Sequence, residues 1–190
     1  MTTFVTILTE GYADWESALL NATARQHFGV TTLFATPGGA PVTSAAGLRI
    51  TPDLAIEAVD VGALDVLVVN GGPAWALPDA PDVSALLQAA RDAGKIVAGI
   101  CDGTVAMARA GLLDEVAHTS NDPQNLPPTG YRGAAHYRDQ PHAVTDGTLI
   151  TAPGTAPVTF MTAVLKALGL GSGELDFYVG LHAAEHRAAA

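Results

Sequence analysis

Apolar positions along the chain fall in short runs rich in Val and Ile, each followed by a longer stretch in which apolar residues recur at helical spacing. Short apolar runs of this kind are strands buried on both faces, and strands alternating with helices build a parallel sheet covered on both sides. The pattern therefore predicts an α/β fold. Residues 3–9 form the first strand, and a helix follows to about Phe28, with Trp15, Ala18, Leu19 and Ala22 on one face. Val30 to Ala35 returns as the second strand. Pro37-Gly38-Gly39 and Ala46-Gly47 punctuate a short hairpin expected at one sheet edge, in a peripheral position. Asp65 to Asn70 reads as a buried strand ended by Gly71-Gly72-Pro73, and a helix from Val83 to Ala93 leads back to a strand at 96–100. After Cys101 a helix runs to about Ala110, with Gly111 as its stop. The proline-rich stretch from Asp122 to Pro128 is irregular. Thr148 to Ala152 is the last strand, followed by helices at about Ala156 to Leu168 and 173–187. No repeat, low-complexity tract or compositional break divides residues 1–190, so one domain is expected.

Composition narrows the partners. Nine Lys and Arg against nineteen Asp and Glu leave a net charge of −10, which disfavours binding to nucleic acid or to an anionic membrane. Runs such as Val66-Leu67-Val68-Val69 are far too short to span a bilayer. The N-terminus lacks a basic n-region and reads directly as a strand, so no signal peptide and a cytoplasmic location are expected. A single cysteine cannot form an intramolecular disulfide or a cysteine metal cluster.

That cysteine lies in Gly99-Ile100-Cys101-Asp102-Gly103, between a buried strand and a helix. The spacing fits a nucleophile elbow, in which flanking glycines relieve crowding around a strained turn. A thiol at a helix N-terminus meets free N–H groups that favour the thiolate, whereas a small cysteine ending a core strand is the plainer alternative. Gly71-Gly72 ends the neighbouring strand at the same sheet edge. It is either a simple turn or, through the Gly72 amide acting with that of Asp102, an oxyanion hole. Glu16 starts the first helix at this edge; it complements the helix dipole or presents a carboxyl, which crowding of two negative charges would protonate, beside the thiolate. His118 is the candidate acid or base, against an ordinary structural role. His182-Ala183-Ala184-Glu185-His186 matches H-x-x-E-H, but a polar face on a late helix explains the same letters, and no metal or cofactor is expected.

Together, Glu16 in Gly11-Tyr12-Ala13-Asp14-Trp15-Glu16, Gly71-Gly72, Ala98-Gly99-Ile100-Cys101 and Ala152-Pro153-Gly154-Thr155-Ala156 resemble the DJ-1/PfpI superfamily over nearly the whole chain. The resemblance implies a flavodoxin-like three-layer α/β/α sandwich with a mainly parallel sheet and a homodimer. It also implies a reactive Cys101 hydrogen-bonded to Glu16, with the Gly72 and Asp102 amides as oxyanion donors. Members include peptidases or amidases, glyoxalase- or deglycase-like enzymes, isonitrile hydratases, chaperones and redox sensors, so the resemblance alone does not fix a reaction. Asp102 stands where the peptidase-like branch carries histidine, which argues against proteolysis. The late His-x-Glu pair of glutamine amidotransferases is missing, which argues against glutaminase activity. In the DJ-1-like branch a histidine follows a Thr-rich strand, and the best register places Asn121 there, with His118 three positions earlier. The leading expectation is a cysteine-dependent enzyme acting on a small carbonyl, amide or similar electrophile. The alternatives are a redox or stress protein whose Cys101 is oxidised to a sulfinate, and an interaction scaffold.

Overall fold

The Val- and Ile-rich runs become strands that are apolar on both faces because helices cover the sheet on both sides. In this computed structural model, which describes residues 1–187 and side chains through Ala184, the strands are β1 (Thr3–Ile7), β2 (Thr31–Thr36), β3 (Val42–Thr43), β4 (Arg49–Ile50), β5 (Leu54–Ala55), β6 (Val66–Val69), β7 (Ile96–Ile100), β8 (Val144–Asp146) and β9 (Leu149–Ala152). The α-helices are α1 (Asp14–Phe28), α2 (Ser84–Asp92), α3 (Gly103–Arg109), α4 (Pro157–Ala167) and α5 (Gly173–Arg187). Seven strands form one sheet in the order β5-β2-β1-β6-β7-β9-β8, parallel throughout except where β8 returns beside β9.

Side chains alternate across this sheet as the two-residue period of a strand requires. Val5, Ile7, Leu67, Val69 and Val97 share a core with Leu87 and Ala90 of α2 and Met107 of α3. Phe4, Val66, Val68, Ala98 and Ile150 share the opposite core with Leu20 of α1, Phe160 and Val164 of α4, and Leu175 of α5. The result is the three-layer α/β/α sandwich expected from the sequence. The chain runs outward from β1 to β2 and β5, then crosses back to β6 on the other side of β1 and continues to β7 and β9. The direction of winding therefore changes between β1 and β6, and a doubly wound sheet opens its ligand crevice at the carboxyl ends of such a pair.

Two local expectations are corrected. Helix α1 spans the expected residues, but Glu16, Ser17, Leu20, Asn21, Thr23 and Ala24 are buried, whereas Ala18 and Ala22 are exposed and Trp15 is 57% exposed. Asn21 is satisfied on this face: its Nδ2 donates to Thr6 Oγ1 of β1 at 3.1 Å and to the Ser17 carbonyl of its own helix at 3.1 Å. Apolar spacing alone selects the wrong face because the inward face is partly polar. The hairpin of β3 and β4 also forms a two-stranded sheet of its own, while β5 is the edge of the main sheet. It packs over the loop between β1 and α1, where Gly11 N–H donates to the Thr43 carbonyl and Ala45 N–H to the Tyr12 carbonyl, both at 2.8 Å. The Asp14 carboxylate accepts the Ala46 N–H at 2.9 Å. The hairpin thus holds the loop that launches α1 and Glu16. Among the described residues no helix is long and apolar enough to cross a membrane.

Helix α3 starts so close to β6 that a Cβ on Gly103 would overlap the Val69 carbonyl, which is backbone and cannot rotate aside. Gly103→Ala is therefore expected to lower stability by about 1–3 kcal/mol through overpacking. The urea midpoint measures it, and an unchanged midpoint would overturn the tight β6–α3 contact.

Candidate active site

Strand β7 delivers Cys101 to the crevice with φ at +57°, and among the described residues it is the only non-glycine with a positive φ. An L side chain avoids that region because its Cβ crowds the backbone, so the surroundings must hold it there. They do so from both sides: Cys101 N–H donates to the Ala152 carbonyl at 2.9 Å, and its carbonyl accepts from Thr104 N–H at 3.1 Å and Thr104 Oγ1 at 2.6 Å. Thr104 Oγ1 also hydrogen-bonds Ser120 Oγ at 2.7 Å. The strained turn of a nucleophile elbow is present as the glycine spacing predicts.

Glu16 comes to the thiol from the first turn of α1 and is fully buried. Its Oε2 accepts the Gly71 N–H at 2.8 Å, and its Oε1 has no hydrogen-bond acceptor or donor beside it other than the thiol region. Gly71 and Gly154 form the walls of this contact. A Cβ on Gly154 would lie 2.9 Å from both Cys101 Sγ and Glu16 Oε1, and one on Gly71 would overlap Glu16 Oε2 and stand 3.0 Å from Sγ. Only residues without a side chain let carboxyl and thiol approach between them. The loops are tied together by Asn70, whose Nδ2 donates to the Ala13 and Gly71 carbonyls, both at 3.0 Å.

Burial dominates the electrostatics. It pushes Glu16 up to about 7, opposed by hydrogen bonds from the thiol and from Gly71. Burial also pushes the Cys101 thiol up, to about 12, reinforced by Glu16 and the charge of Asp102 and opposed by the Asn121 amide. The thiolate expected from a helix N-terminus is therefore not the resting form: loss of solvent and two neighbouring carboxyl groups outweigh the free amides. Glu16 and Cys101 titrate as a coupled pair, with the carboxyl giving up its proton before the thiol. Burial likewise raises the Asp102 carboxyl, with the Asn121 amide opposing.

His118 does not join them. It is fully buried, with Nδ1 2.7 Å from the Val116 carbonyl and Nε2 2.6 Å from the Tyr131 hydroxyl, and burial lowers its pKa. The rings of Tyr131 and Tyr137 meet it edge-on, and both nitrogens are engaged in structure. Asn121 takes the place expected of a histidine. Its Nδ2 donates to Cys101 Sγ at 2.8 Å and approaches Asp102 Oδ1 at 3.4 Å, while its Oδ1 accepts the Gly154 N–H at 2.7 Å. That N–H fixes which end of the amide faces sulfur. Trp15, expected in the core, instead donates its indole N–H to the Gly154 carbonyl at 3.1 Å.

The glycine pair divides its roles. The Gly71 amide is consumed by Glu16 and is not open to a substrate. The Gly72 and Asp102 amides have no acceptor among the described residues, and Gly72 is in extended backbone that any residue could adopt. Asn121 and Gly154 were legible as positions, in the histidine register and the Pro-Gly-Thr stretch, but their contacts come from chain segments some twenty and fifty residues from the thiol. Among the described residues no cluster of three His, Cys, Asp or Glu could hold a metal ion, and the Glu185 and His186 side chains of the H-x-x-E-H stretch lie outside them.

The fold recurs in known proteins. The chain superposes on the DJ-1 superfamily protein Atu0886 from Agrobacterium tumefaciens with a TM-score of 0.95 and 45% identity, covering 98% of this chain and 100% of that one. It is 34% identical over 129 residues to the "Uncharacterized protease YoaZ" of Bacillus subtilis, a match covering 67% of this chain and 61% of that protein. It is also 29% identical over 131 residues to the "Glutathione-independent glyoxalase DJR-1.2" of Caenorhabditis elegans, covering 67% of this chain and 68% of that protein. Residues 3–167 match the DJ-1/PfpI family, and the chain belongs to it.

Proposed function

We propose that the protein is a cysteine-dependent enzyme in which Cys101 adds to a small carbonyl, amide or similar electrophile and Glu16 moves the proton. The observation that carries this reading is the buried Glu16 carboxyl facing a strained Cys101 thiol, with Oε2 engaged by the Gly71 N–H and Oε1 taking no other partner among the described residues. Similarity to a glutathione-independent glyoxalase supports a carbonyl as the electrophile.

For a carbonyl the step balances without a cofactor. The thiol proton passes to ionised Glu16 as the S–C bond forms, and the carbonyl π pair moves onto oxygen. The Gly72 and Asp102 amides hold that oxyanion, and Glu16 returns the proton to it. The Asn121 amide stabilises negative charge on sulfur during the transfer, since a hydrogen bond to the charged form favours it. His118 has no part in this sequence.

The family's dimeric arrangement is proposed for this chain as well. Trp15 and Leu48 are exposed, and Ala18 and Leu48 line an apolar cleft of about 390 Å³ together with Phe34 and Ile50. A rim of apolar side chains around such a cleft fits a second copy of the chain.

Cys101→Ser is expected to abolish turnover of glyoxals or amides, and Glu16→Gln to lower kcat by about 10²–10⁴-fold. Alkylation of Cys101 by iodoacetamide in the parent should accelerate as pH rises through about 7, where Glu16 ionises and can accept the thiol proton. That inflection should vanish in Glu16→Gln. Turnover that survives Cys101→Ser, or an inflection that survives Glu16→Gln, would sink the reading.

Stability offers a separate check. Glu16 binds its proton more tightly in the folded chain than the ordinary value of 4.5 allows, so the contribution of this one group to stability is fully present below 4.5 and is lost as pH rises through about 7. Glu16→Gln escapes that loss. Its Tm relative to the parent should rise between pH 4.5 and pH 8, and a pH-independent difference would contradict the buried-carboxyl assignment. For the dimer, Leu48→Asp combined with Ala18→Arg should halve the mass seen in sedimentation equilibrium; a parent that sediments as a monomer would remove the dimer proposal.

A further inference from the structure

Next to the elbow lies a cavity of about 460 Å³ for which the proton relay has no use. Asp102, Val105 and Arg109, spaced three and four residues apart, line it along one face of the α3 segment, and Leu77, Pro78 and Pro128 supply its apolar lining. The Asp102 end adjoins the thiol, because Asn121 Nδ2 contacts both Cys101 Sγ and Asp102 Oδ1. Arg109 stands seven residues further along, about 10 Å at the rise of a helix. Its Nη2 donates to the Trp75 carbonyl at 3.0 Å, which fixes the guanidinium against the wall. Among the described residues no carboxylate pairs with it within 4.0 Å. Asp82 acts on it only as a more distant charge, and a cation held in place without a salt-bridge partner, in a chain of net charge −10, leaves several N–H donors for an anion.

We propose that this cavity binds the non-reacting end of the substrate, and that this end is a carboxylate or phosphate held by Arg109, on a short apolar stem that runs past Val105 and Leu77 to a carbonyl at Cys101. The proposal rests on the carbonyl-addition reading given above and names its substrate class. Charge also sets the orientation. Asp102 repels an anion at the thiol end, and Arg109 attracts one at the far end, so the neutral electrophilic carbon is directed to the sulfur. The same polarity rejects substrates whose charge is next to the reacting carbonyl.

The test is a calorimetric titration of the intact protein with hexanoate, hexyl phosphate and hexanamide, none of which reacts with a thiol. Hexanoate, hexyl phosphate or both should bind at one site at least about tenfold more tightly than hexanamide, the effect of a charge-assisted hydrogen bond; which of them binds distinguishes carboxylate from phosphate. Arg109→Gln should bring the anions to the level of hexanamide, and Arg109→Lys should retain part of the preference. Leu77→Asp, at a position 51% exposed and away from the Trp75 contact, should weaken the anions without altering the fold. Equal binding of anions and hexanamide, or a preference untouched by Arg109→Gln and Leu77→Asp, would overturn the proposal. The titration involves no sulfur chemistry, so a Cys101 inert to iodoacetamide would count against the enzymatic reading and not against the anion site.

Discussion

A carboxyl group buried without solvent against a thiol is the constraint on which the rest of the site depends. Glu16 is tolerated in the interior because one oxygen accepts the Gly71 N–H and because it can take up a proton near neutrality. Leaving it ionised costs stability, so the fold has to confine it. The confinement is distributed over four loops. Asn70 ties the β6 loop to the start of α1, the β3–β4 hairpin is laid over the β1 loop, Gly71 and Gly154 remove the side chains that would separate the pair, and Asn121 with Trp15 fixes Gly154 through its N–H and its carbonyl. Each of these contacts joins residues distant in sequence, which is why the contact exists only in the folded chain.

The same geometry explains which parts of the molecule could be read from the letters. The α/β class and the strands at 66–69, 96–100 and 149–152 follow from apolar runs and glycine punctuation, since a strand covered on both faces must be apolar at every position. The elbow was legible because strain at Cys101 demands glycines at fixed offsets. The buried face of α1 was not, because Glu16 and Asn21 turn inward to partners that belong to other elements. A period of apolar residues reports burial only when the buried side is apolar.

The role of the cysteine shows the same limit in energetic form. Helix-terminus reasoning considers the few residues around the thiol and predicts an easy thiolate. Partial burial and two carboxyl groups, one of them supplied by α1, reverse the sign. The adjacent Asp102 is visible in the sequence, but burial is not, and burial is the larger effect. His118 lies apart from the thiol for a related reason: its place in the segment after the elbow helix says nothing about Tyr131 and Tyr137, which close around the ring from a later segment.

An amide in place of an imidazole beside the sulfur narrows the chemistry that this reading allows. Asn121 holds a fixed donor on the thiol and cannot accept a proton from it, so the thiol proton and any proton needed by the adduct must pass through Glu16. One carboxyl group that starts and ends in the same protonation state suits an addition in which the proton returns to the oxygen of the adduct. Hydrolysis by way of an acyl-enzyme asks more: a proton for the leaving group, and then a base to activate water at the same carbon. With His118 engaged elsewhere, Glu16 would have to serve both steps from one side of the sulfur. The balance of groups around Cys101 therefore favours carbonyl addition over peptide cleavage, in agreement with the acidic residue at position 102 where a base would be required.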